Sequence, residues 1–489
     1  MKHNLRFPAR PARPVWRLSA LVAALLLAGC ASLAPTAEPA LPEAPGAFKA
    51  GAPGGPAASV PAATAGWWTV FGDPVLDDLV RRADGRNTGL QLAAARLTQA
   101  RALVRRAAAE RRPQVNVSAA ATREDTPLTG GRPATSLGIG ASVSYEVDLA
   151  GRLAGTRDAA ALDAREREEL LHEARLLVHA DVARAYFTLR ALDAERALVR
   201  GTVASYRDTL SLTERRLAAG DVPELDVARV RSELAANEAE ALALDRQRSQ
   251  VEHALALLVG EPASAFEVAA AGGAKEGTTE GAKEGAAEWR AALPQVPAGV
   301  PSATLARRPD IAAARSALLA AQARLGVAQS AWWPALSLTA SGGQASPELS
   351  DLLRSAARTW GIGALLSLPV FDGGRRGAQV AQSQAEVEAA WARYREQALV
   401  AFKEVEDELA ALGLLAQQGE AQARAVEAAA RVTALSATRY RNGLVSQLDL
   451  LDAQRSELRN RRQALQVRAA QVQTTVGLIR ALGGGWGPA

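Results

Sequence analysis

Apolar residues recur along this chain with two different periods, and the changes from one period to the other outline its elements. Over 149–219 and again over 374–442 there is no proline, and apolar positions fall three and four apart, as at Val178, Val182, Ala185, Leu189 and Leu192. That is the period of an amphipathic helix. At 1.5 Å per residue, about 70 residues predict a rod on the order of 100 Å, too long for a globular core and rich enough in alanine for coiled-coil-like packing. Elsewhere the period is two. Leu137, Ile139, Ala141, Val143, Tyr145 and Val147 alternate with Ser136, Gly138, Gly140, Ser142, Ser144 and Glu146, while Trp360, Ile362, Ala364, Leu366, Leu368 and Val370 alternate with Gly361, Gly363, Leu365, Ser367 and Pro369. Val115, Val117 and Ala119, and Leu336, Leu338 and Ala340, follow the same rule. Strands are therefore expected at about 114–122, 136–147, 335–342 and 359–370.

Strands of roughly 9 to 12 residues are long enough to cross a bilayer on a tilt. Trp332, Trp333 and Trp360 lie near strand ends, where an aromatic belt is expected. A soluble sandwich uses the same alternation, but four strands are few for one. Four are also too few to close a transmembrane barrel, which takes at least about eight, and an open edge in lipid leaves backbone groups unpaired. Any such barrel must be shared among subunits.

The chain is written twice. Gly138 to Arg152 aligns with Gly361 to Arg375 at an offset of 223 residues, with eight of fifteen positions identical, and the same offset carries Gly220, Leu225 and Asp226 onto Gly443, Leu448 and Asp449. Two copies of one unit follow, at 67–269 and 301–489. Each reads as a helix, two strands, a very long helix (149–219 and 374–442), a turn and a further helix. Between the copies, 270–300 holds Gly-Ala-Lys-Glu-Gly twice, from Gly273 and from Gly281, and reads as a solvated low-complexity insertion.

The amino terminus changes the picture of compartment. Residues 1–29 combine a basic start with a short apolar stretch, Leu18 to Ala28, and read as a signal peptide. Five of the 57 basic residues and none of the 52 acids fall there, so the net charge of +5 belongs to the leader and not to a nucleic-acid surface. Leu27-Ala28-Gly29-Cys30 resembles a bacterial lipoprotein box, and Cys30, the one cysteine of the chain, is the residue such a box acylates. Residue 31 is Ala, not the Asp that favours inner-membrane retention in lipoproteins of this kind. That points to the outer membrane. Residues 30–66, rich in Ala, Pro and Gly, read as a tether.

Nothing in the chain supports catalysis. HExxH, GxSxG and Walker patterns are absent, and Gly138-Ile-Gly and Gly361-Ile-Gly lie inside alternating strands without continuing as a nucleotide loop. His172 and His179, seven residues apart on one predicted helix, are candidates for a shared face, with packing the plainer explanation. Arg308-Pro309-Asp310 reads as a helix start, with proline in the first turn and an acid at its positive end. Turns follow the long helices at Gly220-Asp221-Val222 and Asn442-Gly443-Leu444-Val445, where glycine permits the chain reversal. Beyond the second, Leu448, Asp449 and Asp452 are spaced to lie near one helix face.

Trp67 to Leu79, Arg307 to Arg315, Trp333 to Leu338, Leu450 to Arg455 and Leu482 to Trp486 together carry a family likeness. On these stretches the chain resembles the TolC-type outer-membrane factors, in particular the NodT-type lipoprotein branch that serves resistance-nodulation-division (RND) efflux pumps. The resemblance implies a mainly α fold with membrane β: a homotrimer whose subunits each give four strands to a 12-stranded outer-membrane barrel, continued by a long α-helical periplasmic tube. It implies an exit duct for drugs or other small molecules, lying in the outer membrane of a Gram-negative bacterium. The implied partners are a periplasmic adaptor (membrane fusion protein), an inner-membrane RND pump and outer-membrane lipid, with no nucleic acid and no cofactor beyond the lipid on Cys30. It places adaptor docking at Gly220, Asp221, Val222, Asn442, Gly443, Leu444 and Val445. It places a periplasmic gate at Leu448, Asp449 and Asp452, with Asp226 as the repeat-equivalent acid. Two rival expectations are a channel for type I protein secretion and a lipid-tethered periplasmic scaffold that forms no channel.

Overall fold

The structure, a computed structural model, describes residues 45–49, 66–125, 133–269, 293–294, 296 and 301–484. The expected signal peptide at 1–29, Cys30 with its lipid, most of the 30–66 tether and most of the 270–300 insertion lie outside these residues. The described chain is mainly helical with one four-stranded sheet. It divides into a sheet-bearing unit, with residues 104–160 and 319–388, and a helical unit, with residues from 40–103, 161–318 and 389–489.

In the sheet-bearing unit, β1 (Gln114–Glu124), β2 (Ala134–Val147), β3 (Ala335–Ser346) and β4 (Arg358–Ser367) pair in that order, every neighbour antiparallel. β1 and β4 are therefore its edges. β3 runs past 342, where its apolar alternation fades, because Gly343 serves a close approach and not a turn. Gly343 pairs with Gly140, and a Cβ on Gly343 would lie 2.4 Å from the Ile139 carbonyl oxygen. β4 stops at Ser367, short of 370, before Pro369, which has no N–H to give a ladder.

The long helices start a little later than their prolines and periodicity allow. α3 (Arg152–Ala218) begins after Gly151 at φ +72°, and the Asp148 carboxylate accepts the N–H groups of Leu153 and Ala154 at 3.0 and 2.7 Å. α7 (Arg375–Arg441) begins after Gly373 and Gly374, both at positive φ, with Asp372 accepting the Arg376 N–H at 3.2 Å. Both helices span 67 residues, and the helices that follow them, α4 (Glu224–Leu258) and α8 (Gln447–Ala481), both span 35. The two copies seen in the sequence thus match in their long helix and the helix after it. None of the described helices is long and apolar enough to cross a membrane.

The helical unit is built around one main apolar cluster. A 3-10 turn at Trp67–Phe71 and the helix α1 (Pro74–Arg86) bring Trp67, Phe71, Leu76, Leu79 and Val80 against Val182, Tyr186 and Leu189 of α3, Leu255 of α4, and Val472, Val476 and Ile479 of α8. Asp73 locks the entry. One carboxylate oxygen caps α1 through the Val75 N–H at 2.9 Å, and the other accepts the Tyr186 hydroxyl. The remaining helices, α2 (Thr88–Glu110), α5 (Pro301–Arg307) and α6 (Pro309–Ser330), complete the described set.

Gly220 and Gly260 both close helices at positive φ, 76° and 72°. An added Cβ on Gly220 meets nothing within 4 Å, whereas one on Gly260 would sit 2.3 Å from the Arg86 carbonyl oxygen. Gly220→Ala should therefore cost only the left-handed backbone penalty, about 1 kcal/mol, and Gly260→Ala several-fold more, read as the drop in melting temperature of the purified protein. Equal losses would contradict this packing.

Candidate functional site

The registers sort every strand residue onto one of two faces. One face carries Val115, Val117 and Ala119 of β1, Leu137 to Val147 at alternate positions of β2, Leu336, Leu338 and Ala340 of β3, and Trp360, Ile362, Ala364 and Leu366 of β4. The other carries Asn116, Ser118, Thr122, Ser136, Ser142, Ser144, Ser337, Thr339, Ser341 and Thr359 among glycines and alanines, with Leu365 as its large apolar member. The apolar face is uncovered, with Val117 77%, Trp360 76% and Ile362 82% exposed. Its height fits a membrane. Gly342, the register partner of Trp360, lies about nine residues past Trp333, or roughly 30 Å along the strand. A tilt of about 40° reduces that to roughly 23 Å, close to the apolar band of an outer-membrane barrel.

In the helical unit the two predicted turns have one geometry. The Gly220 N–H donates to the Leu217 carbonyl at 2.9 Å and the Asp221 N–H to Arg216 at 2.9 Å; Gly443 donates to Tyr440 at 3.0 Å and Leu444 to Arg439 at 2.9 Å. Each is a Schellman closure, with Gly220 and Gly443 in the left-handed region at φ 76° and 71°. Asp221, Asn442 and Leu444 are exposed, and Val222 and Val445 half-buried. The Arg216 guanidinium lies 5.4 Å from the centre of the Tyr440 ring, tying the end of α3 to the end of α7.

The segment after the second turn has two distinct sides. Leu448, Asp449 and Asp452 are exposed, while Gln447, Leu450, Leu451 and Ala453 are buried, with Leu451 packed on Tyr206 and Val230. The two acids differ in their work. Asp449 completes a capping box, accepting the Ser446 N–H at 2.9 Å and the Ser446 hydroxyl at 2.6 Å, and these bonds hold its carboxyl below the usual range. Asp452 pairs at 3.2 Å with Arg455, which also pairs with Glu233 of α4. Asp226, in the first turn of α4, is shielded and pairs with Arg229 at 3.5 Å.

Ion pairs and neutral hydrogen bonds divide the packing of these helices. α4 is held to α3 by Arg231–Glu214 at 2.9 Å and Arg207–Glu238 at 2.7 Å, and α8 is held to the same pair by Arg455–Glu233, Arg462–Glu195 at 2.7 Å and Arg462–Glu240 at 2.5 Å. Against α7, α8 uses neutral groups over its first half and an ion pair, Arg480–Glu404 at 3.1 Å, near its end. Thr433 donates to the Ala453 carbonyl at 3.1 Å and Gln422 to the Asn460 carbonyl at 3.0 Å. Tyr206 sits beneath, its phenol pushed up to about 12 by burial and then by Glu233, with Arg455 opposing.

Arg308-Pro309-Asp310 does start α6, and it also builds a charge cluster that its spacing does not disclose. Arg308 is buried and donates to Asp310 at 2.6 Å, to Glu404 of α7 at 2.8 Å and to the Ala481 carbonyl of α8 at 2.9 Å. Gln397 donates to Asp310 at 2.6 Å and Arg480 to Glu404 at 3.1 Å. Burial works against the Asp310 charge, yet the bonds from Arg308, Gln397 and the Ile311 N–H hold its carboxyl below the usual range. Glu173 lines the same cleft, and burial, then the Asp310 charge, raise its carboxyl above the usual range. The two histidines find separate partners: His179 contacts Asp84 at 2.7 Å and the Trp68 ring at 4.6 Å, and His172 lies 3.6 Å from Glu169.

The model of a family described as outer membrane efflux protein matches residues 79–261 and 300–484. The chain is similar to the pyoverdine export outer membrane protein OpmQ of Pseudomonas aeruginosa, 34% identical over 86% of this chain and 87% of the relative. It is similar also to the outer membrane protein OprJ of the same organism, 33% identical over 97% of each. Among solved structures it resembles the open state of the MtrE outer membrane channel of Neisseria gonorrhoeae, with TM-score 0.73 and 27% identity over 84% of this chain and 89% of that one.

Two outcomes test the charge arrangement. Because the folded Glu173 carboxyl is raised above the ordinary value of 4.5, its ionisation opposes folding as pH rises through the folded value. Glu173→Gln should raise the melting temperature near pH 8, with the gain vanishing at about pH 4; a gain independent of pH would refute the assignment. Arg455→Ala leaves Glu233 unpaired and should destabilise by about 1–2 kcal/mol, whereas no change in denaturation midpoint would show that α8 does not depend on this bridge.

Proposed function

The chain belongs to the outer membrane efflux protein family, and from that premise we propose that it is the exit duct of a tripartite efflux assembly, closed into a barrel by three identical subunits. The observation that supports this most directly is the open sheet of four strands with an uncovered apolar face and two unpaired edges. In hydrocarbon those edges find partners only in further strands. Two copies make eight strands, and a barrel of about eight has its interior filled by side chains. Three copies are the smallest set that leaves a lumen, with the hydroxyl and glycine face turned toward it.

Cys30 carries the acyl anchor, and no other cofactor is needed. The turns at Gly220-Asp221-Val222 and Asn442-Gly443-Leu444-Val445 dock a periplasmic adaptor, which connects the duct to an inner-membrane RND pump. The cargo is small molecules, as the name of the pyoverdine-exporting relative implies for that protein. Leu448, Asp449 and Asp452 form the periplasmic gate, with Asp226 as a lesser contributor. Threefold repetition makes the exposed Leu448 an apolar constriction and Asp452 a ring of carboxylates. Asp449, bound into its capping box, sets the direction of the helix that presents them.

The purified protein should migrate as an oligomer that collapses to monomer on heating, and it should conduct in planar bilayers. Replacing Leu448 and Asp452 together by Ala should raise the single-channel conductance. A monomer without conductance would leave only a tethered scaffold, and a double variant that conducts like the wild type would move the gate elsewhere.

A further inference from the structure

The apolar face of the sheet changes character at one end on all four strands. β1 is apolar on this face through Ala121 and then presents Arg123; β2 presents Thr135 before Leu137; β3 turns from Ala340 and Gly342 to Gln344 and Ser346; β4 presents Arg358 before Trp360. This is the end that bears the β3–β4 connection, opposite to the helices. At the helix end the same face stays apolar, with Val115, Val147, Leu336 and Leu366. Arg358 stands two residues beyond Trp360, about 7 Å along the strand, where headgroups follow an aromatic belt.

Within the strands the charges at this end of the face are of one sign, with the exposed acids Asp125 and Glu348 lying just beyond β1 and β3. Arg123 and Arg358 are exposed, and neither has an ion-pair partner among the described residues. Glu124 falls on the opposite face by register, and Asp351 of the β3–β4 connection is paired with Arg354 at 3.2 Å. That connection also holds out Leu349 and Leu353, 74% and 83% exposed. The two arginines lie on β1 and β4, the two edge strands.

We propose that Arg123 of one subunit and Arg358 of its neighbour form, at each junction of the closed barrel, a binding site for the phosphate-bearing headgroup of an outer-leaflet lipid. This rests on the barrel reading, since edge pairing between copies is what brings β1 beside β4. Guanidinium groups bind phosphate through paired, charge-assisted hydrogen bonds, and the neutral Thr135 adds a polar group without opposing charge. Leu349 and Leu353 dip toward the acyl chains and hold the connection on the leaflet. The lipid thereby seals the seam between subunits.

Native mass spectrometry of the detergent-purified full-length protein, titrated with diphosphoryl lipid A or with the same lipid stripped of its phosphates, tests the site. The wild type should bind the phosphorylated form about tenfold more tightly, with up to one lipid per subunit junction. Arg123→Gln with Arg358→Gln should abolish that preference, and Arg358→Lys alone should retain most of it, so that loss in the double variant is not mere misassembly. A wild-type oligomer that binds both lipids equally, or a double variant that keeps the preference, overturns the site while leaving the barrel intact. A wild-type protein that is monomeric before and after heating overturns the barrel, and the site with it.

Discussion

A backbone N–H or carbonyl facing hydrocarbon has no solvent to turn to, and the architecture follows from that. The sheet satisfies its two inner strands within the chain and leaves one side of β1 and one side of β4 open. Each open side costs several kcal/mol per unpaired group in lipid. Association is therefore a condition of the sheet's existing in a membrane at all. In the proposed barrel, the uneven strand faces, apolar on one side and hydroxyl-bearing on the other, decide which side the closed wall turns outward.

The helical unit solves a different problem, that of holding long helices in register. Helices of 67 and 35 residues recur in both copies, and each long helix ends in the same glycine closure. The copies diverge in how their hairpins are fastened. Ion pairs bind α4 and α8 to α3 and α4, whereas the first half of α8 meets α7 through neutral threonine and glutamine contacts, with the Arg480–Glu404 pair near its end. Charge-assisted bonds are the stronger and more directional of the two. The first half of α8, which carries Leu448 and Asp452, is thus held to α7 by the weaker kind of bond.

Periodicity made the helices and strands legible, because 3.6 and 2 are properties of local geometry that survive in the order of residues. The offset that aligns Arg152 with Arg375 also located the helix starts to within a few residues. What escaped was long-range or depended on side-chain bonding. Gly342 and Gly343 look like the end of a strand unless one knows that Gly140 lies against them. Asp449 looks equivalent to Asp452 until Ser446 is seen to occupy its carboxylate. Arg308 shows its helix start in the sequence, but its bonds to Glu404 and to the Ala481 carbonyl join residues far apart in the chain, and spacing holds no trace of them.

In the proposed barrel the hydroxyl-bearing strand face lines the lumen. Over most of its length it offers hydroxyls, glycines and alanines, with Glu124 and Glu146 at its two ends. Such a wall has no fixed charge in its middle with which to turn away an ion, and few large side chains with which to grip a passing solute. Whatever reaches it leaves by diffusion, and whatever is outside enters as easily. A permanently open wall of this kind would dissipate the permeability barrier that a second membrane exists to provide, so in the proposed duct discrimination has to be exercised outside the strands.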